Sequence, residues 1–310
     1  KGITSLRDPG AWIETYYPLI ASRETIPRLY LTGPHFDMEN PAYPENSVVV
    51  RDEWEADQNV RTFFDQGASA IKVYYGCSPA IIRQICQTAH QLGIPVTAHL
   101  EITDIYQAIA AGLDGLEHIT SLGSSLVPKR QAEAYKQEIL KDNNARRQGR
   151  YAMWANIDTA SDASRQLAQF LSRSRTYICP TLGAFEYQWS PDKPDSVKLE
   201  GFRQMMAYTR LLSDSGARLV LGSHSWTPYE PLGHAYHHEM ELWAAAGIPP
   251  GEIIHASTLR NARFFGIEDQ LGSIEVGKVA DLVLVQGDPL EDISDMRQVK
   301  SVMLNGQWLQ

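Results

Sequence analysis

Residues 94–120 read IPVTAHLEITDIYQAIAAGLDGLEHIT. The stretch parses as strand, helix, strand. Residues 94–99 are a short apolar run that closes on His99. Residues 102–111 carry apolar side chains at helical spacing and are stopped by Gly112. Residues 113–118 are a second apolar run, closing on His118. Parallel strands joined by a crossover helix end at the same edge of the sheet. His99 and His118 are therefore expected side by side at that C-terminal edge, where α/β barrels carry their chemistry. One histidine ending a strand is readily satisfied by a loop carbonyl. Two of them, one βα unit apart, form a pair able to ligate a metal.

The same alternation extends outward. Upstream, strands are expected at residues 2–6, 28–32 and 68–75, and helices at 11–22, 53–66 (closed by Gly67) and 79–92 (closed by Gly93). Residues 34–46, rich in Pro and Asn, read as an excursion over the sheet edge. Downstream, a helix at 160–172, a strand at 177–182, a helix at 197–215 and a strand at 218–222 continue the pattern. Residues 127–150 interrupt it with a long, charged, helical insertion, whose charges read as a solvated face. After helices at 234–246 and 250–265 the rhythm changes to short strands. Residues 281–285 read as a buried strand, and 302–309 as a hairpin about Asn305-Gly306. The expectation is an α/β barrel over 1–265, with the insertion at about 127–150, and a small β appendage over 266–310.

Composition narrows the function. The 310 residues are 43% hydrophobic and 21% charged, enough for one large α/β domain and an appendage. A formal net charge of −9 argues against nucleic acid and anionic membrane as partners. No apolar run is long enough to span a bilayer. Cys77, Cys86 and Cys179 form neither a CxxC pair nor an even framework, so they neither demand nor exclude an oxidising compartment.

Lys72 stands inside the strand sequence AIKVYY and shares a strand face with Tyr74. Two readings stand. The lysine can snorkel from the strand end with its stem buried. Alternatively, a desolvated lysine loses its charge and its neutral amine adds carbon dioxide, giving a carbamate whose two oxygens can bridge two metal ions. Tyr74 is a candidate substrate-binding residue, with a packing role as its alternative. Among the remaining polar residues, His234, His237 and His238 are expected to bond at a helix start. His255 and Asp281 are expected to be structural, and His35 to sit in the loop after the third strand.

Three stretches resemble the amidohydrolase superfamily of metal-dependent (β/α)8-barrel hydrolases, in its imidazolonepropionase-like and prolidase-like branch. They are GITSLRDPG at residues 2–10, the series Lys72, His99 and His118, and HASTLRNARFFGIEDQLGSIEVGKVADLVLVQGDPLEDI at residues 255–293. The resemblance implies a (β/α)8 TIM-type barrel with a small C-terminal β-sandwich appendage. It makes Lys72 the carboxylated lysine and His99 and His118 metal ligands. Where the family's eighth strand usually ends in an aspartate that touches the metal and takes a proton from water, this chain has Gly222-Ser223-His224. His224 therefore takes the metal and catalytic position, as a group able to act as a base near neutral pH.

The family's first-strand His-x-His is not in this sequence. The first barrel strand is thus expected to be missing, in a fragment or in a subunit completed by a second copy or another chain. The function implied is cleavage of a C–N amide bond in a small cyclic amide or dipeptide-like substrate, using one or two divalent metal ions, zinc for preference. The alternative is a catalytically impaired relative with a binding or assembly role.

Overall fold

Short strands and capped helices alternate from the start of the chain. β1 (Ser5–Asp8) and β2 (Arg28–Leu31), either side of the short α1 (Tyr17–Ala21), pair parallel from Ser5↔Arg28 to Asp8↔Leu31. Then follow β3 (His35–Asp37), β4 (Ser47–Val49), α2 (Glu53–Asp65), β5 (Ile71–Val73), α3 (Pro79–Gln91), β6 (Val96–Ala98), α4 (Ile105–Ala110) and β7 (Gly115–Glu117). The computed structural model describes residues 1–22, 24–192 and 194–309, which divide into two compact units. One contains residues 2–116, 262–284 and the segment from Val299 on. The other contains Lys1, residues 117–261 and residues 285–298.

In the first unit β3 pairs parallel with both β4 and β5, β5 with β6, and β6 with β7. The helices between them begin on side-chain caps. Asp52 accepts from the Glu55 N–H, Ser78 from Ile81 and Asp104 from Gln107, each worth about 1 kcal/mol. All residues of β5, β6 and β7 are buried. Lys72, in register with Thr97, is thereby carried inside. The excursion expected at 34–46 is shorter than read, because β3 lies within it. Phe36 is fully buried and pairs with Val73. A strand of three residues between Pro34 and a turn-rich segment is too short to show a period.

The second unit holds α5 (Gly123–Leu126), α6 (Lys129–Lys141), α7 (Ala145–Trp154), α8 (Asp162–Arg173), β8 (Tyr177–Cys179), α9 (Ser196–Asp214), β9 (Arg218–Leu219), α10 (Ala235–Ala245) and α11 (Pro250–Ser257). β8 and β9 are parallel, with Tyr177↔Arg218 and Ile178↔Leu219. The solvated face read into 127–150 holds for much of α6 but not for α7. Arg146 and Arg150 are buried. The Arg150 guanidinium lies over the Phe185 ring at 5.2 Å, and Tyr151 Oη donates to the Phe185 carbonyl at 2.9 Å. α7 meets α9 where Gly201 lacks a side chain; a Cβ there would come within 2.7 Å of the Tyr151 carbonyl oxygen.

The single helix expected over 250–265 breaks at Thr258 into α11 and α12 (Leu259–Phe264). The hydroxyls of Ser257 and Thr258 both turn back onto the Ile254 carbonyl, at 2.9 and 2.7 Å, competing with the helix's own bonds. Beyond it, β10 (Leu282–Val285), β11 (Val299–Leu304) and β12 (Gln307–Leu309) form a small sheet in that order. β11 and β12 are antiparallel about Asn305 and Gly306, whose φ of +51° and +77° are those of a type I′ turn. β10 is not a buried strand, since Leu284 is 56% exposed. Asp281 is structural. Its carboxylate takes the Arg28 guanidinium and the Asn305 N–H, joining the hairpin to β2.

Candidate functional site

Lys72, Tyr74 and His99 fall in the first unit, and His118 and His224 in the second. In the first, Lys72 and His99 are each 3% exposed. His99 closes β6 with its N–H on the Val73 carbonyl at 3.0 Å, and its ring meets Tyr74 edge-on at 4.8 Å. Its Nε2 lies 3.1 Å from Glu101 Oε1, both side chains buried. Tyr74 also stacks on His35 at 4.8 Å and meets Tyr43 edge-on at 5.8 Å. A Cβ on Gly10 would collide with His35 Nε2, so a side chain there would have to displace that ring. His35 is held neutral, its pKa pushed down to about 3 by burial and then by the neighbouring Lys72 and His99. The loop after β5 is fixed by Asp37, whose buried carboxylate accepts the N–H groups of Met38, Ala42 and Gly76.

In the second unit His118 follows β7, with its N–H on the Cys179 carbonyl at 2.8 Å. Its Nδ1 lies 2.6 Å from Thr181 Oγ1, and that hydroxyl also lies 2.8 Å from the Pro180 carbonyl. A hydroxyl has one proton. The carbonyl can only accept, so the Thr181 proton goes to Pro180 and His118 Nδ1–H donates to Oγ1. The neutral ring then keeps its lone pair at Nε2. This tautomer follows from the bonding pattern, and it is the one a metal ligand needs when its other nitrogen is tied to a protein acceptor. The His224 ring lies 5.3 Å from the His118 ring. Two imidazoles sharing a tetrahedral ion through bonds of about 2.0–2.1 Å would have their ring centres roughly 5.2 Å apart. The spacing of the two ring centres matches that value, and His118 carries the tautomer a ligand needs.

The turn carrying Thr181 is held from α10. Glu239, fully buried, accepts the N–H groups of Leu182 at 2.7 Å and Gly183 at 2.8 Å, and Trp243 Nε1–H at 2.9 Å. Burial pushes its pKa up to about 7 against the pull of these donors.

The helix-start role expected for His234, His237 and His238 is not what these side chains do. His234 occupies the cap position of α10 but makes no side-chain cap bond; Lys1 Nζ donates to its Nε2 at 2.6 Å. His237 is buried. His238 Nε2 lies 2.6 Å from Glu186 Oε2, and its Nδ1 faces Glu230 and Glu241 at 3.4 and 3.5 Å. Glu230, His238 and Glu241 bring three ligand atoms within 4.8 Å of one another. Arg297 already pairs with both carboxylates of this cluster, reaching Glu230 at 3.1 Å and Glu241 at 2.5 and 2.7 Å. The triad is thus a salt-bridge network whose two carboxylates a metal would have to take from a guanidinium. His255 is structural, its Nδ1 accepting from Arg260 at 3.0 Å.

Glu101, Thr181 and Glu239 were not singled out by the sequence reading. Glu101 carried a weak signal, as an acid two places after a strand-ending histidine. Thr181 and Glu239 carried none.

A family model described as the Amidohydrolase family matches residues 1–309. No curated protein matches the chain. Among solved structures the chain is similar to a Xaa-Pro dipeptidase with methionine bound in its active site, at 21% identity and a TM-score of 0.71, over 99% of this chain and 75% of that one. It is similar to a bottromycin amidohydrolase at 19% identity and a TM-score of 0.75, over 100% and 71%. It is also similar to an ochratoxinase from A. niger at 17% identity and a TM-score of 0.68, over 98% and 71%. At these identities the likeness shows the fold, a TIM-type barrel of parallel strands and helices with a small antiparallel sheet near the C-terminus.

Proposed function

The chain belongs to the amidohydrolase family, and is a hydrolase by that membership; we propose that it is metal-dependent and cleaves a C–N amide bond in a small cyclic amide or dipeptide-like substrate. The observation that carries the reading is the His118 ring, tied at Nδ1 to Thr181 and 5.3 Å from His224. His118 and His224 would hold a divalent ion, zinc for preference; Lys72 and His99 are the candidate metal ligands of the first unit. When bound, such an ion polarises the amide carbonyl and lowers the pKa of water towards neutrality. As an alternative to ligating, His224 serves as the base, since an imidazole whose lone pair is not on the metal can take a proton from water and return it to the departing amine near neutral pH. Lys72 contributes as a carbamate, formed when its neutral amine adds carbon dioxide and releases a proton. Tyr74, packed with His35 and Tyr43, offers an aromatic wall to the substrate. The dipeptide-like class is supported by the likeness to a Xaa-Pro dipeptidase.

One observation favours the opposing reading of a non-catalytic member. His99 Nε2 is engaged by Glu101, and must trade that contact to ligate through the same nitrogen. The test is metal per chain by elemental mass spectrometry on protein purified without chelator, beside Lys72→Ala and His118→Asn, followed by Xaa-Pro dipeptides and cyclic amides as substrates. Bound ions that fall in both variants, with amine released by the wild type, support the hydrolase. A folded wild type without metal and without turnover overturns it.

A further inference from the structure

We propose that Glu239 is a positioning residue: by fixing the turn after β8 it holds Thr181 against His118, and so sets which nitrogen of His118 carries the proton. The inference rests on the metal reading given above and adds a residue on a different element, α10, to that site. The path is short. Glu239 Oε1 takes the Leu182 N–H and the Trp243 indole N–H, while Oε2 takes the Gly183 N–H. Leu182 and Gly183 open the 3-10 turn that directly follows Thr181. Thr181 has a φ of +51°, a conformation a β-branched residue rarely adopts. Nothing in the side chain of a threonine favours it, so the surroundings must impose it. Two consecutive N–H groups aimed at one carboxylate do so, because a flipped peptide at either position would leave a buried donor and a buried acceptor unmet.

The choice of residue is specific. A carboxylate presents two acceptor oxygens to two N–H groups. A glutamine of the same shape presents one oxygen and one NH2, which sets donor against donor at either Leu182 or Gly183. With the turn free, Thr181 can relax to negative φ, and Oγ1 leaves Nδ1. His118 then loses the acceptor that fixes its tautomer, and the proton is free to move to Nε2, the nitrogen that would ligate.

The experiment is nitrogen NMR of protein labelled with 15N-histidine, prepared without metal, with the His118 signals assigned by their loss in His118→Asn. Zinc affinity is measured by competition on the same samples. The variants are Glu239→Gln and Trp243→Phe; the second removes the third donor and disturbs the same core while leaving both turn bonds. The expected result is a single Nδ1–H tautomer in the wild type and in Trp243→Phe. In Glu239→Gln we expect a tautomer mixture and zinc binding weakened about 10–100-fold, as for other groups that orient metal ligands. An unchanged tautomer and affinity in Glu239→Gln overturn the proposal. If that variant does not fold, Glu239→Asp, whose shorter arm cannot reach both N–H groups, is read the same way. A wild type with the fixed tautomer that binds no zinc would sink the metal reading and leave the positioning role standing. A zinc-binding wild type with an indifferent Glu239→Gln would do the reverse.

Discussion

Thr181 Oγ1 lies 2.6 Å from His118 Nδ1, and both residues have positive φ, +51° and +69°. Two strained non-glycine residues that face each other through one hydrogen bond are over-determined by their surroundings, each costing on the order of 1–3 kcal/mol. Such strain gathers where a side chain must be aimed.

Replacing Thr181 by valine keeps the shape and removes the acceptor. The buried His118 Nδ1–H is then unmet, at about 1–3 kcal/mol. Zinc affinity is expected to fall roughly 10–100-fold in Thr181→Val and to stay near wild type in Thr181→Ser, which keeps the hydroxyl. Competition titration with a zinc indicator reads both. Equal affinities in the two variants would show that the hydroxyl does not orient the ring.

Lys72 separates its two readings by carbon chemistry. If its buried amine is a carbamate, protein equilibrated with 13C-bicarbonate gains a carbamate carbon resonance that Lys72→Met lacks, and the metal content of that variant falls. A snorkelling lysine gives no such resonance, and its loss leaves the metal content unchanged.

These expectations rest on residues of unequal legibility. His99 and His118 were readable because each closes a short apolar run one βα unit from the next, and the strands form where that pattern puts them. Lys72 was readable as a charge inside an apolar strand, and it is buried as that implies. Thr181 was not, because a threonine in a loop has many uses and its positive φ is imposed by α10, more than fifty residues downstream. Arg146 and Arg150 misled for a related reason. In sequence they belong to a charge-rich helix, but their stems pack inside and one guanidinium stacks on Phe185. Long-range partners decide both cases, and a local pattern does not contain them.

Glu239 gives the stability a pH slope of definite sign. Its pKa is about 7 in the fold against an ordinary 4.5, so between those values the folded chain holds a proton the unfolded chain has lost. Stability contributed by the neutral carboxyl is full below about pH 4.5 and declines as pH rises to about 7, by about 3 kcal/mol in all. Urea midpoints measured from pH 4.5 to 8 should show this decline. Glu239→Gln, which has no such proton, should lose that component of it. An identical slope in the variant would place the titration elsewhere.

The Glu186–His238 pair works at the next step of the pH scale. Glu186 holds the His238 pKa above its ordinary 6.5, so the pair's contribution is full below that value and is lost as pH rises through the raised one. In Glu186→Gln the imidazole should titrate at lower pH, by histidine proton NMR, and the stability loss above pH 6.5 should shrink. A His238 titration that does not move would mean Glu230 and Glu241 carry the shift instead.

Arg297 decides whether the triad of Glu230, His238 and Glu241 is a salt bridge or a metal site. Its guanidinium contacts both carboxylates, and their attraction holds its own pKa above the usual arginine value. Removing it in Arg297→Ala leaves two like charges beside a histidine, with three ligand atoms within 4.8 Å. Without metal the variant should lose roughly 1–3 kcal/mol, the scale of charged hydrogen bonds in a partly exposed network. Added zinc should recover part of that loss by binding only the folded chain. The variant should then carry one ion more than wild type, and adding His238→Ala should remove it. If His238→Ala alone lowers the metal content of the otherwise wild-type chain by one ion, the triad binds metal despite the arginine, and the salt-bridge assignment is wrong.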